Sequence, residues 1–246
     1  MTSKKRMMLT LRRETPDRLP VTIHQWQPYH LKTYMKGMND IEAFKATGLD
    51  AAITHCPFIY SECSNWKVER RENRDDDDIY LYRDYYPDMG LDKRALEKSY
   101  TELNNAGIQR TFLNGYQGGC WQDACELYGT EQLIYAVFDK PDWIHEFLRI
   151  LLEKKVRFIY DHLKAAKIDL VETGGGASSS TVISPEIHQE FCLPYDKKLH
   201  DSIHEVGFPV VYHTCGGMMA LLDIIPRNGC DVSRLGGRGR LYIERL

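Results

Sequence analysis

The 246-residue chain carries 32 Lys plus Arg against 35 Asp plus Glu, a formal net charge of −3, with 43% hydrophobic and 27% charged residues. That balance excludes a disordered chain, a collagen-like chain and a disulfide mini-protein, and it leaves no basic footprint for nucleic acid. No apolar run approaches the roughly 18 residues of a membrane span, and no apolar stretch follows the basic residues 1–13, so neither a membrane helix nor a signal peptide is expected. The seven cysteines stand at irregular spacing, which predicts reduced thiols in a cytoplasmic protein, some of them acting only as small buried apolar residues.

In chain order, residues 18–24 form a short apolar run after a basic, Pro-containing start and predict a first strand. Asn39 or Asp40 can cap a helix through Thr47, with Gly48 as its stop, and residues 49–54 then predict a second, buried strand. Two alternating segments, 66–71 and 79–85, flank a polar turn rich in aspartate and predict a β-hairpin. The aspartates lack the spaced ligand pattern of a calcium loop, so a solvated turn is expected. Asp92 caps a helix carrying Leu96, Tyr100 and Leu103 and ending at Gly107. Residues 108–113 predict a third strand, and helical segments follow through Phe138.

Pro141 opens a long helix to about Ala166, whose core stripe includes Trp143, Phe147 and Leu151. Residues 168–173 predict a fourth strand that ends in Gly174, Gly175 and Gly176. Ser184 and Pro185 start a helix that bends at Pro194 and ends near Val206. Residues 209–213 predict a fifth strand, 217–225 a helix and 229–233 the start of a sixth strand. Alternating strand and helix argue for a parallel α/β sheet. No glycine-rich dinucleotide fingerprint follows the first strand, so a (β/α) barrel is expected rather than a Rossmann domain.

In a barrel, functional residues gather at the C-terminal ends of the strands. His213 and Cys215 share a side of an extended strand, so both can point at one metal ion, and imidazole and thiolate are ligands that zinc prefers. The alternative is a buried His and Cys side by side. A third ligand would come from another strand end, where Glu172, His24, His55 and Cys56 are the candidates. The Gly174–Gly176 loop with its following hydroxyls allows two readings. It is either a cradle whose backbone N–H groups bind an anionic cofactor, or a tight turn that lets a ligand approach.

Together these segments resemble the uroporphyrinogen decarboxylase superfamily from Arg18 to about Ser233. The carrying features are the hairpin after strand two, the helix opened by Pro141 and Asp142, the run from Ser184 to Tyr195, the segment from Val211 to Gly217 with its His-x-Cys-Gly, and the segment from Asn228 to Ser233. The resemblance implies a (β/α)₈ TIM barrel with the hairpin as an insertion. The segment where true decarboxylases carry substrate-holding arginines reads Ile23, His24, Gln25, Trp26, Gln27, Pro28, without arginine, and no catalytic aspartate is evident near the second strand end.

The resemblance points instead to the zinc- and corrinoid (cobalamin)-dependent methyltransferase branch, with His213 and Cys215 as metal ligands and Glu172 and His24 as candidate catalytic residues. Zinc and a corrinoid presented by a partner protein are the cofactors this implies. Residues 234–246 do not look like the family's continuing barrel. They are expected to be an aberrant tail on a domain of residues 1–233, truncated to about six βα units and prone to homo-oligomerise through an open edge. Uroporphyrinogen decarboxylase and a non-catalytic barrel fragment are the alternatives.

Overall fold

A computed structural model describes residues 1–23, 26–55, 58–60, 76–80, 89–112 and 118–236. The helices are α1 (Ser3–Leu11), α2 (Pro28–Tyr34), α3 (Asp40–Thr47), α4 (Lys93–Leu103), α5 (Cys120–Tyr128), α6 (Thr130–Asp139), α7 (Pro141–His162), α8 (Pro185–Ile187) and α9 (Leu193–Glu205). The strands are β1 (Ala51–His55), β2 (Phe58–Tyr60), β3 (Met89–Leu91), β4 (Ile108–Phe112), β5 (Leu170–Gly174), β6 (Val210–Cys215) and β7 (Val232–Gly236). Five strands form one sheet in the order β1-β4-β5-β6-β7, every neighbouring pair parallel, while β2 and β3 pair antiparallel. A parallel sheet that adds each new strand beside the last, with helices between, is the wall of a TIM-type barrel rather than a doubly wound sheet.

Local chemistry explains most element ends. The Asn39 side chain accepts from the Glu42 N–H and Glu42 reaches back to the Asn39 N–H, closing a capping box on α3; Gly48 ends that helix at φ 68°. Asp92 and Ser184 cap α4 and α8 through their side-chain oxygens. The bend expected at Pro194 appears as a π turn over His188–Cys192. Proline has no N–H and its ring crowds the carbonyl four residues back, so the chain widens by one residue before it.

Three expectations are corrected. Residues 18–23 are not a strand. Pro20 lacks a donor, and the Val21 N–H is taken by the Asp50 carboxylate at 2.8 Å, so only the Val21 carbonyl is left to accept from the Asp50 N–H at 2.7 Å. The helix expected over 217–225 is replaced by 3₁₀ turns at Met219–Leu221 and Ile225–Asn228. The Gly217 carbonyl, which would begin a helical ladder, instead accepts from the Ser180 N–H and hydroxyl, and Pro226 breaks the continuation. Of the expected hairpin, residues 66–75 and 81–85 lie outside the described set, and residues 78–80 take a helical turn instead of starting its second strand. β7 runs through Ser233, so Arg234, Leu235 and Gly236 pair with His213, Thr214 and Cys215; residues 237–246 lie outside the described set.

The two faces of the sheet are distinct. Val171, Val210 and Tyr212 join the large core against the helices, with Trp121, Phe147, Phe158 and Phe191. Ala51, Leu170 and Val211 form a second cluster with Val232, covered by Met7, Met8 and Leu11 of α1. Helix α1 is pinned there by acids that directly precede strands. Arg6 meets Asp50 at 2.6 Å and Asp17 at 2.7 Å, Arg18 meets Asp50 at 2.8 Å, and Lys4 meets Asp169 at 3.0 Å. Asp50 and Asp169 stand one residue before β1 and β5, so α1 closes the N-terminal end of the sheet's inner face and leaves the C-terminal end as the site-bearing rim.

Candidate active site

Side chains alternate across a strand, so the inner face can be read from its clusters. Leu170 and Val211 belong to the inner cluster, and Val211 is the register partner of Glu172. Glu172, two residues beyond Leu170, and His213 and Cys215, two and four beyond Val211, therefore share that face toward the C-terminal rim. Glu172 is fully buried, His213 is partly buried and Cys215 is exposed. The Glu172 Oε1 lies 3.8 Å from His213 Nδ1, too long for a direct hydrogen bond but close enough to place the carboxylate beside the imidazole. The arrangement is graded, with a buried acid innermost, an imidazole beside it and a thiol at the opening.

His24 and Cys56, the other candidate residues, lie outside the described set, as does Cys63; His55 ends β1, and only its backbone is described. Five cysteines are described and all are free. Cys120, Cys125, Cys192 and Cys230 are buried, and Cys215 is the exposed one. Burial pushes the Cys120 and Cys192 thiols up and that of Cys125 to about 12, which keeps them as apolar packing groups.

The glycine loop after β5 is built for close approach. Gly174 stands at φ 103°, where a side chain would put its Cβ 2.0 Å from the His213 carbonyl oxygen. A Cβ on Gly176 would lie 2.9 Å from Cys215 Sγ, so this loop forms the wall directly against the thiol. Many of the loop's donors are engaged within the protein. The Ala177 N–H donates to Gln122 Oε1 at 2.9 Å and the Ser180 N–H to the Gly217 carbonyl at 2.8 Å. The Ser179 and Thr181 hydroxyls bond each other at 2.7 Å. The loop's acceptors are held as well: Trp121 Nε1 donates to the Ala177 carbonyl at 3.2 Å, and His188 Nδ1 to the Ser178 carbonyl at 2.8 Å.

Sequence reasoning missed the polar groups behind this wall. Asp196 of α9 is buried beneath the loop and hydrogen-bonds the Tyr212 hydroxyl, and burial pushes its carboxyl up to about 7 against the pull of Tyr212 and Lys155. Lys155 of α7 is fully buried and meets Asp123 Oδ2 at 2.5 Å; burial raises Asp123 to about 6 against the pull of that lysine. His200 donates from Nδ1 to the Asn228 carbonyl and accepts the Thr173 hydroxyl at Nε2, both at 2.8 Å, and burial lowers its pKa to about 4. It is thus a neutral strut between β5, α9 and the turn before β7. The pair Gly118 and Gly119 before α5 was a usable signal of close backbone approach. A Cβ on Gly119 would fall 2.3 Å from Asp196 Oδ1.

Among the described residues, no group of three or more His, Cys, Asp and Glu side chains is gathered to hold a metal ion. By donor type His213 and Cys215 suit zinc, and Glu172 stands beside His213, but the described donors fall short of the three protein ligands usual for zinc. No helix of the described residues is long and apolar enough to cross a membrane.

Comparison with known proteins places this geometry in context. Residues 90–241 match the family model described as uroporphyrinogen decarboxylase (URO-D). A uroporphyrinogen decarboxylase of Carboxydothermus hydrogenoformans is 26% identical over 104 residues, which is 42% of this chain and 28% of that relative's length. A methyltransferase from Methanosarcina mazei shares the fold, with a TM-score of 0.63 at 15% identity, over 95% of this chain and 75% of its own.

Proposed function

The chain belongs to the uroporphyrinogen decarboxylase family, and from that premise we propose that its barrel transfers a methyl group from a corrinoid, presented by a partner protein, to the thiol of a small molecule. The observation that carries this reading is the placement of Glu172, His213 and Cys215 on one inner face, with the thiol at the open rim. His213 and Cys215 would hold a zinc ion, completed by a further donor. A zinc ion so held would bind the acceptor thiol and keep it as a thiolate near neutral pH. Glu172, buried with its carboxylate 3.8 Å from the His213 ring, would be the nearby base for the thiol proton. Gly176 brings the loop backbone against Cys215 Sγ without a side chain of its own between them.

The alternative enzyme reading, decarboxylation of a porphyrinogen, draws support from the relative matched over 104 residues. Recognition of several substrate carboxylates calls for fixed cations, ideally bidentate arginines, and residues 23–28 carry none. The third reading, a barrel fragment of about six βα units that associates through an open edge, draws on β7, which pairs on one side only among the described strands. One set of experiments separates the three. Purified protein is titrated with Co(II) and assayed with methylcobalamin and a panel of small thiols, in parallel with uroporphyrinogen, while light scattering gives its size. A cobalt–thiolate absorption lost in Cys215→Ser, with thiol-dependent demethylation of methylcobalamin, is expected. Enzyme-dependent coproporphyrinogen would overturn the proposal in favour of the decarboxylase. Aggregates that take up no metal would favour the fragment.

A further inference from the structure

Tyr212 lies on β6 between Val211 and His213, and its ring points to the helix side, opposite His213. It is fully buried. Its hydroxyl bonds Asp196 and stands 3.1 Å from the Ser178 Oγ, which itself donates to the Gly175 carbonyl at 2.8 Å. Asp196 has a second link to the same loop, because its Oδ1 rests against Gly119, whose N–H donates to the Gly174 carbonyl at 3.0 Å. The Gly175 carbonyl is therefore linked to Tyr212 through Ser178, and the Gly174 carbonyl is held by the Gly119 N–H, against which Asp196 packs. Gly176, the next residue, lies against Cys215 Sγ.

We propose that Tyr212 and Asp196 are a positioning pair that fastens the glycine loop and so sets the exposure and direction of the Cys215 thiol. The proposal rests on the reading of Glu172, His213 and Cys215 as the site, and it adds a control of that site from behind the sheet.

Hydrogen counting supports the linkage. Ser178 and Tyr212 each own one hydroxyl hydrogen. When Asp196 carries its proton it donates to Tyr212, Tyr212 donates to Ser178 and Ser178 to the Gly175 carbonyl; when Asp196 is ionised it accepts from Tyr212 instead, and the link from Tyr212 to Ser178 is lost. An amide at 196 can donate in the same place, whereas a phenyl ring at 212 cannot pass the bond on. Burying an acid and a phenol behind the sheet costs stability relative to apolar residues of similar shape. What the pair supplies is a fixed loop geometry at the thiol.

The test measures iodoacetamide alkylation of the Cys215 peptide by mass spectrometry, on the full chain, beside Co(II) titration and thermal unfolding. Losing one buried hydroxyl link is worth about 1 kcal/mol, so Tyr212→Phe and Ser178→Ala are expected to speed alkylation about fivefold and to weaken Co(II) binding to a similar extent. Asp196→Asn is expected to keep the wild-type rate. Leu163→Ala, a destabilising change in the core away from the loop, is expected to keep it too. Unchanged alkylation in Tyr212→Phe and Ser178→Ala, or equal acceleration in Leu163→Ala, would overturn the positioning role. If Tyr212→Phe does not fold, Asp196→Ala, which removes the other partner of the Tyr212 hydroxyl, takes its place, and alkylation unchanged from wild type in that variant would overturn the role. If wild-type protein gives no cobalt–thiolate band, the metal reading fails, and the alkylation series still decides the positioning.

Discussion

Replacing Asp196 by Asn should make the protein more stable at alkaline pH, and the size of the gain follows from its burial. Asp196 is 2% exposed, and burial pushes its carboxyl from the ordinary 3.8 up to about 7. The raised value means that the folded chain holds this proton while the unfolded chain releases it. The stabilisation linked to that proton is complete below the unfolded value and is lost as pH rises through about 7. At alkaline pH the fold therefore carries a buried anion that the amide variant does not. By linkage, the advantage of Asp196→Asn over wild type should grow by about 3 kcal/mol between about pH 4.5 and pH 8. Asp123, raised to about 6, and His200, lowered to about 4, also titrate across this window, but they do so in both proteins and drop out of the comparison. Urea unfolding of the two proteins at both pH values, read by circular dichroism, measures the difference. A constant difference across the window, or a variant less stable than wild type at pH 8, would refute the claim that Asp196 is buried and reluctant to ionise.

Gly174→Ala should destabilise by about 3 kcal/mol, since it forces a Cβ into the positive-φ region and against the His213 carbonyl; thermal unfolding checks this, and an unchanged melting temperature would contradict the geometry. Gly176→Ala should leave the melting temperature within a few degrees while slowing Cys215 alkylation several-fold, because its new methyl crowds Sγ. Arg6→Ala should lower the denaturant midpoint, as it leaves the buried Asp50 with one guanidinium fewer and unpins α1 from the strand ends; an unchanged midpoint would contradict that pinning.

Where local chemistry decides an element, the sequence was readable. Asn39, Gly48, Asp92, Pro141 and Ser184 marked helix ends that the structure places within a residue or two. His213 and Cys215 could be assigned to one face from their spacing alone, and Glu172 joined them once the register of β5 on β6 was known. The misread segments are those in which a distant group captures the backbone. The Asp50 carboxylate takes the Val21 donor and keeps residues 18–23 out of the ladder, and Ser180 takes the Gly217 carbonyl and leaves 3₁₀ turns where a helix was expected. The buried polar set was invisible for a related reason. Asp196 sits in a charged stretch beside Lys197 and Lys198, which reads as a solvated face, and only the approach of Gly119 and Tyr212 seals it. Helix α1 was read only as part of a basic stretch, because its Met7, Met8 and Leu11 gain meaning from the strand ends they cover.

That cover has a bearing on traffic. With Met7, Met8 and Leu11 seated under the strands, and Arg6 locked to Asp50, the inner face is plugged at its N-terminal end. A molecule that travels along the strands to Glu172 therefore arrives from the side of Cys215. The direction of approach is set by a helix at the far end of the sheet from both residues.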